Sequence, residues 1–338
     1  MNLSAIARQQ LDQHFANTAL AFGAQVGQHY TATPTVAQTI YNKVVEDGNP
    51  FLQQINVLPV SEIKGQKVGL SLSNRVASRT DTSGAGERTP KHLAATDAKG
   101  YELFPTEFDV ALKYALIDSW SKFPDFAARY MTLVRQAIGN DMLQTGWTGT
   151  SAAAATNIGT YPLLQDLNIG WLQLIRSFNS GSQRVIGTGP SPISLGPTSG
   201  VFKTLDGLAH DAKQRLPIYF REHPDLVLLV ASDIIAHQQE TYYETNGNKP
   251  VEKAAINGMI TRAYAGLPSI VPAFLPAGTL MITTLKNLSI YYQDSSVRRL
   301  QKDKPEKNEV QDFNSVNLGY VVEDEMLTSL VENITFVS

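Results

Sequence analysis

The feature that most constrains this chain is a long polar stretch, Asn74 to Gly100, rich in Ser, Thr, Gly, Arg and Asp. Structureless loops longer than about 12–15 residues are uncommon inside a compact domain. On its N-terminal side Val68, Leu70 and Leu72 alternate with Gly69, Ser71 and Ser73. On its C-terminal side Phe108, Val110 and Leu112 repeat the period-two pattern of a strand. Two strands flanking a polar tip describe an extended hairpin arm, and such a projection acts on a partner rather than on its own core. The tip carries Arg75, Arg79 and Arg88 against Asp81 and Glu87. Exposed on a lone chain, such charges contribute little. Laid on another subunit they become partly desolvated and set register and partner choice.

The remainder of the chain has the means to build a body for this arm. It has 338 residues, 43% of them hydrophobic and only 17% charged, against about 25% charged in typical soluble domains. A low charge fraction suits a subunit that covers surface against copies of itself. The net charge of -3 provides no basic field for gripping nucleic acid. Cysteine is absent, which excludes thiolate catalysis, disulfides and Cys-based zinc sites. The first residues lack a basic start followed by an apolar core, so no secretory signal is expected. No apolar run reaches the ~18 residues of a membrane span.

Periodicity places the elements. Leu3, Ala7, Leu11, Phe15, Ala19 and Phe22 form one stripe of an amphipathic helix over Asn2 to Gly27. A second helix starts after Pro34, carries Val36, Ile40, Val44 and Val45 inward, and stops near Gly48. Ile55 to Val60 is expected to be extended. A long helix opens at Pro124 and runs through Gln144, with Phe126, Tyr130, Leu133, Val134, Ala137 and Ile138 as its buried face. Ser151 to Ala155 is a small-residue linker, and a helix is expected over Leu163 to Phe178, interrupted at Gly170. Ile186 to Gly200 reads as a surface loop. A helix over Leu205 to Phe220 is followed by the continuous apolar run of a buried strand, Asp225 to Val230, and by a helix capped at Ser232. Ile270 to Tyr292 is expected to be β-structure, Arg298 to Asp312 an exposed charged segment, and Leu318 to Val322 and Leu330 to Val337 closing strands.

Candidate chemistry is weak throughout. Asp81-Thr82-Ser83-Gly84 has the letters of an aspartic-protease turn, but that chemistry needs two carboxylates sharing a proton and apolar strands to hold the turn. One copy stands here, amid Arg79, Thr80, Glu87 and Arg88. Gly84 to Thr89 lacks the Gly-Lys-Ser/Thr ending of a phosphate loop, and Gly187-Thr188-Gly189 lacks the third glycine of a dinucleotide turn. The histidines show no i, i+4 metal pair. His210 beside Asp211 has the residue types for general-base work, although neighbours in a helix usually face outward. No catalytic residue, cofactor or metal ligand is assigned, and the chain is not expected to be an enzyme.

Several segments resemble the major capsid proteins of P2-like tailed phages: NVLPVSEIKGQKVG (Asn56 to Gly69), TDTSGAGERTPK (Thr80 to Lys91), LLQDLNIGWLQ (Leu163 to Gln173), HPDLVLLV (His223 to Val230), LPAGTLMITTLKNLSIYYQDSSVRR (Leu275 to Arg299) and LGYVVED (Leu318 to Asp324). The resemblance runs from about Thr33 to the end of the chain; the first thirty residues match only in helical character, and 186–200 looks locally variable. It implies an α+β, HK97-like capsid fold: an N-terminal arm, an extended β-hairpin arm (the E-loop), a peripheral domain with a long spine helix, and an axial domain. The implied division is a removable segment over 1–30, the N-arm over 31–64, the hairpin arm over 65–117, the peripheral domain over 118–204, the axial domain over 205–294, and a return to the peripheral domain over 295–338. The resemblance further implies self-assembly into hexamers and pentamers that close an icosahedral shell around double-stranded DNA contacted non-specifically. Internal scaffolding protein, a maturation protease and a portal protein are the implied partners, with no membrane; the implied locations are the host cytoplasm during assembly and then the virion. Proteolytic removal of the N-terminal segment is implied near Tyr30-Thr31. Alternatives are another phage structural component such as a tail or portal protein, a hydrolase without a recognisable motif, and a monomeric binding module.

Overall fold

The computed structural model describes residues 5–21, 25, 27, 30–67, 77, 79–84, 87–89, 100–120, 123, 126–178, 185–187, 189, 191–246 and 263–337. The N-terminal half holds helix α1 (Ala5–Ala21), strand β1 (Tyr30–Thr31), α2 (Pro34–Asp47), β2 (Asn56–Val60), β3 (Lys64–Gln66), β4 (Gly100–Glu102), β5 (Phe104–Glu107), β6 (Val110–Lys113), α3 (Tyr114–Trp120), α4 (Phe126–Thr148) and α5 (Trp171–Phe178). The C-terminal half holds β7 (Val185–Ile186), β8 (Ile193–Leu195), α6 (Leu205–Gln214), β9 (Leu226–Val230), α7 (Ser232–Asn246), β10 (Ala263–Tyr264), β11 (Leu267–Ile270), β12 (Leu280–Thr284), β13 (Leu288–Gln293), β14 (Arg298–Lys304), β15 (Glu309–Val322), β16 (Ser329–Val331) and β17 (Ile334–Phe336).

Two sheets carry the architecture. One runs β1-β14-β15-β13-β2, with β5 and β6 pairing along the length of β15; the other runs β10-β11-β9-β12-β16-β7. The five residues of β9 are all buried, because the strand lies between parallel β11 and antiparallel β12 with both faces covered. A continuous apolar run is the composition such a strand demands. Burying each of these Leu and Val side chains contributes about 1.5–3 kcal/mol.

The first sheet is joined to the helices by an aromatic cluster. Trp147 of α4 meets Trp171 of α5 edge-on at 4.9 Å, and Trp171 meets Tyr320 of β15 edge-on at 5.3 Å. The polar atoms of Trp171 and Tyr320 are partnered across elements: Trp171 Nε1 donates to the Ser289 carbonyl at 3.0 Å, and the Tyr320 hydroxyl donates to the Met142 carbonyl at 2.7 Å. Burial pushes the Tyr320 and Tyr41 hydroxyls far above their ordinary pKa. Gly146 is required here, since a Cβ on it would lie 2.4 Å from the Trp171 ring.

The structure departs from the sequence expectations in identifiable places. Pro124, the expected start of the long helix, lies outside the described residues; the helix is described from Phe126 to Thr148, beyond the expected Gln144, and its Leu133 and Ala137 face outward. Residues 163–170 form turns rather than helix, with Leu164 at φ 59°. The helix after Leu205 ends at Gln214. Within 186–200, Ile193–Leu195 is a strand paired in parallel with Ile334–Phe336. Arg298 to Asp312 is not an exposed segment but an antiparallel hairpin at the centre of the first sheet, with Gln301, Glu309 and Asp312 buried. Phe108 lies outside any strand, and β5 and β6 pair with β15 rather than forming the return limb of the arm. Val68, Leu70 and Leu72 lie outside the described residues. Sheet membership also crosses the expected border at 294: Leu288–Gln293 sits in the first sheet and Ser329–Val331 in the second.

Candidate assembly and processing sites

The root of the arm is an antiparallel ladder of β3 and β4, in the register Lys64↔Glu102, Gly65↔Tyr101 and Gln66↔Gly100. Lys64 Nζ reaches Glu102 at 2.6 Å on its exposed face. On the other face the Tyr101 ring lies over Gly65 so closely that a Cβ there would sit 2.6 Å from its hydroxyl oxygen. Tyr101 also meets Tyr291 of β13 edge-on at 5.1 Å. The Tyr291 hydroxyl donates to Glu323 Oε1 at 2.8 Å, and Ser289 Oγ donates to the same oxygen at 2.5 Å. Burial, then the bond to Glu323, raises the Tyr291 pKa. Lys67 Nζ donates to the Val322 carbonyl at 2.5 Å and stands 3.7 Å from Glu325. The Leu103 N–H donates to the Ile63 carbonyl at 2.9 Å, and its side chain is buried. Residues 64–67 and 100–103 are therefore a fixed root for the expected arm.

Of the tip residues singled out by sequence, Arg75 lies outside the described residues. Arg79, Asp81, Glu87 and Arg88 are exposed, and the described residues form no ion pair among them. The protease-like letters make a local turn: Asp81 Oδ1 accepts from the Ser83 hydroxyl at 2.6 Å and from the Ser83 N–H at 2.9 Å. These bonds, the hydroxyl first, lower the pKa of the Asp81 carboxyl. An exposed, ionised carboxylate is the opposite of the shared-proton pair that the protease reading requires. His210 is exposed, and Asp211 pairs with Arg215 at 2.7 Å. Among the described residues no group of three or more His, Asp or Glu side chains is placed to hold a metal, and no helix is long and apolar enough to cross a membrane.

The Tyr30-Thr31 pair forms the edge strand β1, with Tyr30 opposite Arg299 and Thr31 opposite Arg298 on β14. The next residue continues the contact, the Ala32 N–H donating to the Val297 carbonyl at 2.8 Å. Tyr30 is only 8% exposed. Upstream, α1 lies on the body: Leu11 and Phe15 bury against Leu112, Tyr114, Ile117 and Val310, flanked by Phe126 and Tyr130. Arg8 pairs with Asp303 at 2.6 Å, and the Tyr114 hydroxyl donates to the other oxygen of that carboxylate.

Beneath α1 and β1 sits a polar cluster that sequence reasoning missed. Arg299 donates twice to Asp312, at 2.9 and 2.5 Å, and both side chains are about nine-tenths buried. Gln301 Nε2 donates to Asp312 Oδ2 at 3.3 Å and approaches His14 Nε2 of α1 at 3.5 Å. Burial, then the nearby Arg299 charge, lowers the His14 pKa. A cavity of about 310 Å³ lies between α1 and this floor, lined on the apolar side by Phe15, Leu112 and Phe126 and on the polar side by His14, Gln301 and Asp312. The signal for the cluster lay in the alternation of Arg299 and Gln301 against Asp312 and Asn314, which antiparallel pairing brings to one face; it is hidden in a segment so charged that it reads as surface.

Comparison with known proteins bears on all of these features together. The family described as phage major capsid protein, P2 family, matches residues 9–334. The capsid proteins of Escherichia phage P2 are 32% identical over 317 residues, covering 91% of this chain and 88% of theirs. The major capsid protein of Serratia phage KSP20 is 29% identical, covering 98% of this chain and 97% of its own. A chain in the structure of the satellite phage P4 procapsid including size determination (Sid) protein superposes with a TM-score of 0.78 at 32% identity, covering 97% of this chain and 98% of that one.

Proposed function

The chain belongs to the P2 family of phage major capsid proteins, has the HK97-like α+β fold, and is a shell-forming subunit of the phage virion; from that premise we propose how it assembles. Copies associate as hexamers and pentamers and close an icosahedral shell around double-stranded DNA contacted non-specifically. Internal scaffolding protein, a maturation protease and a portal protein take part, and the host cytoplasm is the place of assembly. The arm reaches over a neighbour in its ring, where Arg75, Arg79, Asp81, Glu87 and Arg88 meet that neighbour. The N-terminal segment is cut from the chain near Tyr30-Thr31.

The observation that carries this reading is the fixed root of the arm. The β3–β4 ladder is pinned by Tyr101, Lys67 and Leu103, while the described tip residues find no charged partner among the described residues. Charges held out on a rigid support serve partner choice better than self-stability. Closed symmetry repeats each contact around the shell, so that modest interfaces sum. Replacing Arg75, Arg79 and Arg88 together by Glu is expected to abolish shells in electron micrographs while the subunit keeps its wild-type circular dichroism. Normal shells from that variant would refute the role given to the tip. Processing is read independently by mass spectrometry of finished particles: a chain beginning near Thr31 is expected, and one still beginning at Met1 removes the claim.

A further inference from the structure

We propose that docking of α1 guards the Tyr30–Thr31 bond, so that the N-terminal helix must leave its groove before the chain can be cut. The inference rests on the reading that this bond is the processing site. Hydrolysis there adds one water: its oxygen joins the Tyr30 carbonyl carbon, the C–N bond breaks, and the Thr31 nitrogen leaves as an amine. A protease needs its substrate extended and free, with the main chain available for pairing and the side chains available for pockets. In the folded subunit both are already used. The main chain of β1 pairs with Arg298 and Arg299, and the Tyr30 side chain is buried. Cutting therefore requires β1 to peel from β14.

The geometry ties that peeling to α1. Tyr30 lies opposite Arg299; Arg299 is held by Asp312; Gln301 bonds Asp312 and approaches His14; and His14 belongs to α1, next to the buried Phe15. Asp312 and Gln301 also form the wall of the cavity beneath the helix. While α1 is seated the ion pair stays dry, and a dry pair is held tightly in its one geometry. When α1 lifts, water reaches Asp312 through the opened cavity, and the support beneath Tyr30 loosens. The helix and the edge strand thus open as one local unit whose population sets the rate of cutting.

Chymotrypsin, which cuts after aromatic residues, tests this on the full-length chain without any phage protease. The readout is the appearance by mass spectrometry of a fragment beginning at Thr31. Phe15→Asp is expected to raise that rate at least about tenfold, the rate following the open population. Cutting after Tyr41, which is buried in the main core, is expected to stay slow. An unchanged rate at Tyr30 overturns the proposal. If cutting after Tyr41 rises in parallel, the body has loosened, and the milder Arg8→Ala, which removes the link from α1 to Asp303 together with an exposed pair to Asp12 inside the helix, decides: a rise confined to Tyr30 supports the guard, and no rise overturns it. Mature particles that keep Met1 would remove the processing site and leave this mechanical result standing.

Discussion

At the scale of single residues, the Arg299–Asp312 pair is where most depends on a few atoms. Removing one partner strands a buried charge, which costs about 3–5 kcal/mol, whereas replacing both by apolar groups is often close to neutral. Asp312→Ala is therefore expected to lower stability in urea titration by about 3 kcal/mol, and Arg299→Met with Asp312→Leu by far less. His14 gives the same region a pH dependence. It faces Arg299, which disfavours its proton, Asp312, which favours it less strongly, and the hydroxyl-bearing wall of Tyr130. Its docked pKa lies below the ordinary 6.5, so the undocked helix binds the proton more readily. The contribution to docking is complete above the undocked pKa and is lost as pH falls through it towards the docked value. Amide exchange in 5–21, corrected for intrinsic rates, is expected to be faster at about pH 5.5 than at about pH 7.5. His14→Phe is expected to flatten that difference. A dependence that survived the substitution would have another source.

At the scale of elements, the root of the arm makes the sharpest demand. A side chain at position 65 would meet the Tyr101 ring, so Gly65→Val must displace either that ring or the ladder. Stability of the body is expected to fall by about 1–3 kcal/mol, as overpacking usually costs, and shells to be fewer or misshapen in electron micrographs. Normal shells would show that the direction of the arm is not set at Gly65. The same element shows what could be read in advance. Alternation suggests a return strand for the arm at Phe108 to Leu112, but alternation marks a strand and not its partner. Long-range pairing with Glu309–Val322 took that segment instead. Buried β9 and α2 after Pro34 were legible because their residues meet local requirements: two covered faces and an early helical proline. Residues 163–170 were not, since Asp166 holds a turn by accepting from the Asn157 N–H at 2.7 Å, a contact that periodicity cannot see. Of the candidate site, the charges of the tip were visible in the sequence; the cluster beneath α1 was not, because burial of Arg299 and Asp312 arises only when β14, β15 and α1 meet.

At the scale of the whole molecule, the described residues give a body with two sheets, an aromatic cluster joining helices to β13 and β15, and a fixed ladder of β3 and β4 at the root of the proposed arm. The body is stable by ordinary packing; Leu228→Ala at the centre of the second sheet is expected to cost about 2–5 kcal/mol in urea titration. A loss below about 1 kcal/mol would mean that β9 is not the core strand that its burial describes. The arm is different, since it acts between copies. The central claim is that each arm completes its contacts on an adjoining subunit, and a cryo-electron microscopy reconstruction of the assembled shell reads this directly. The result expected is density for 68–99 lying across a neighbouring copy in the same ring, with Arg79 and Arg88 beside its acidic groups. Arms folded back on their own subunit, with shells held together elsewhere, would contradict it.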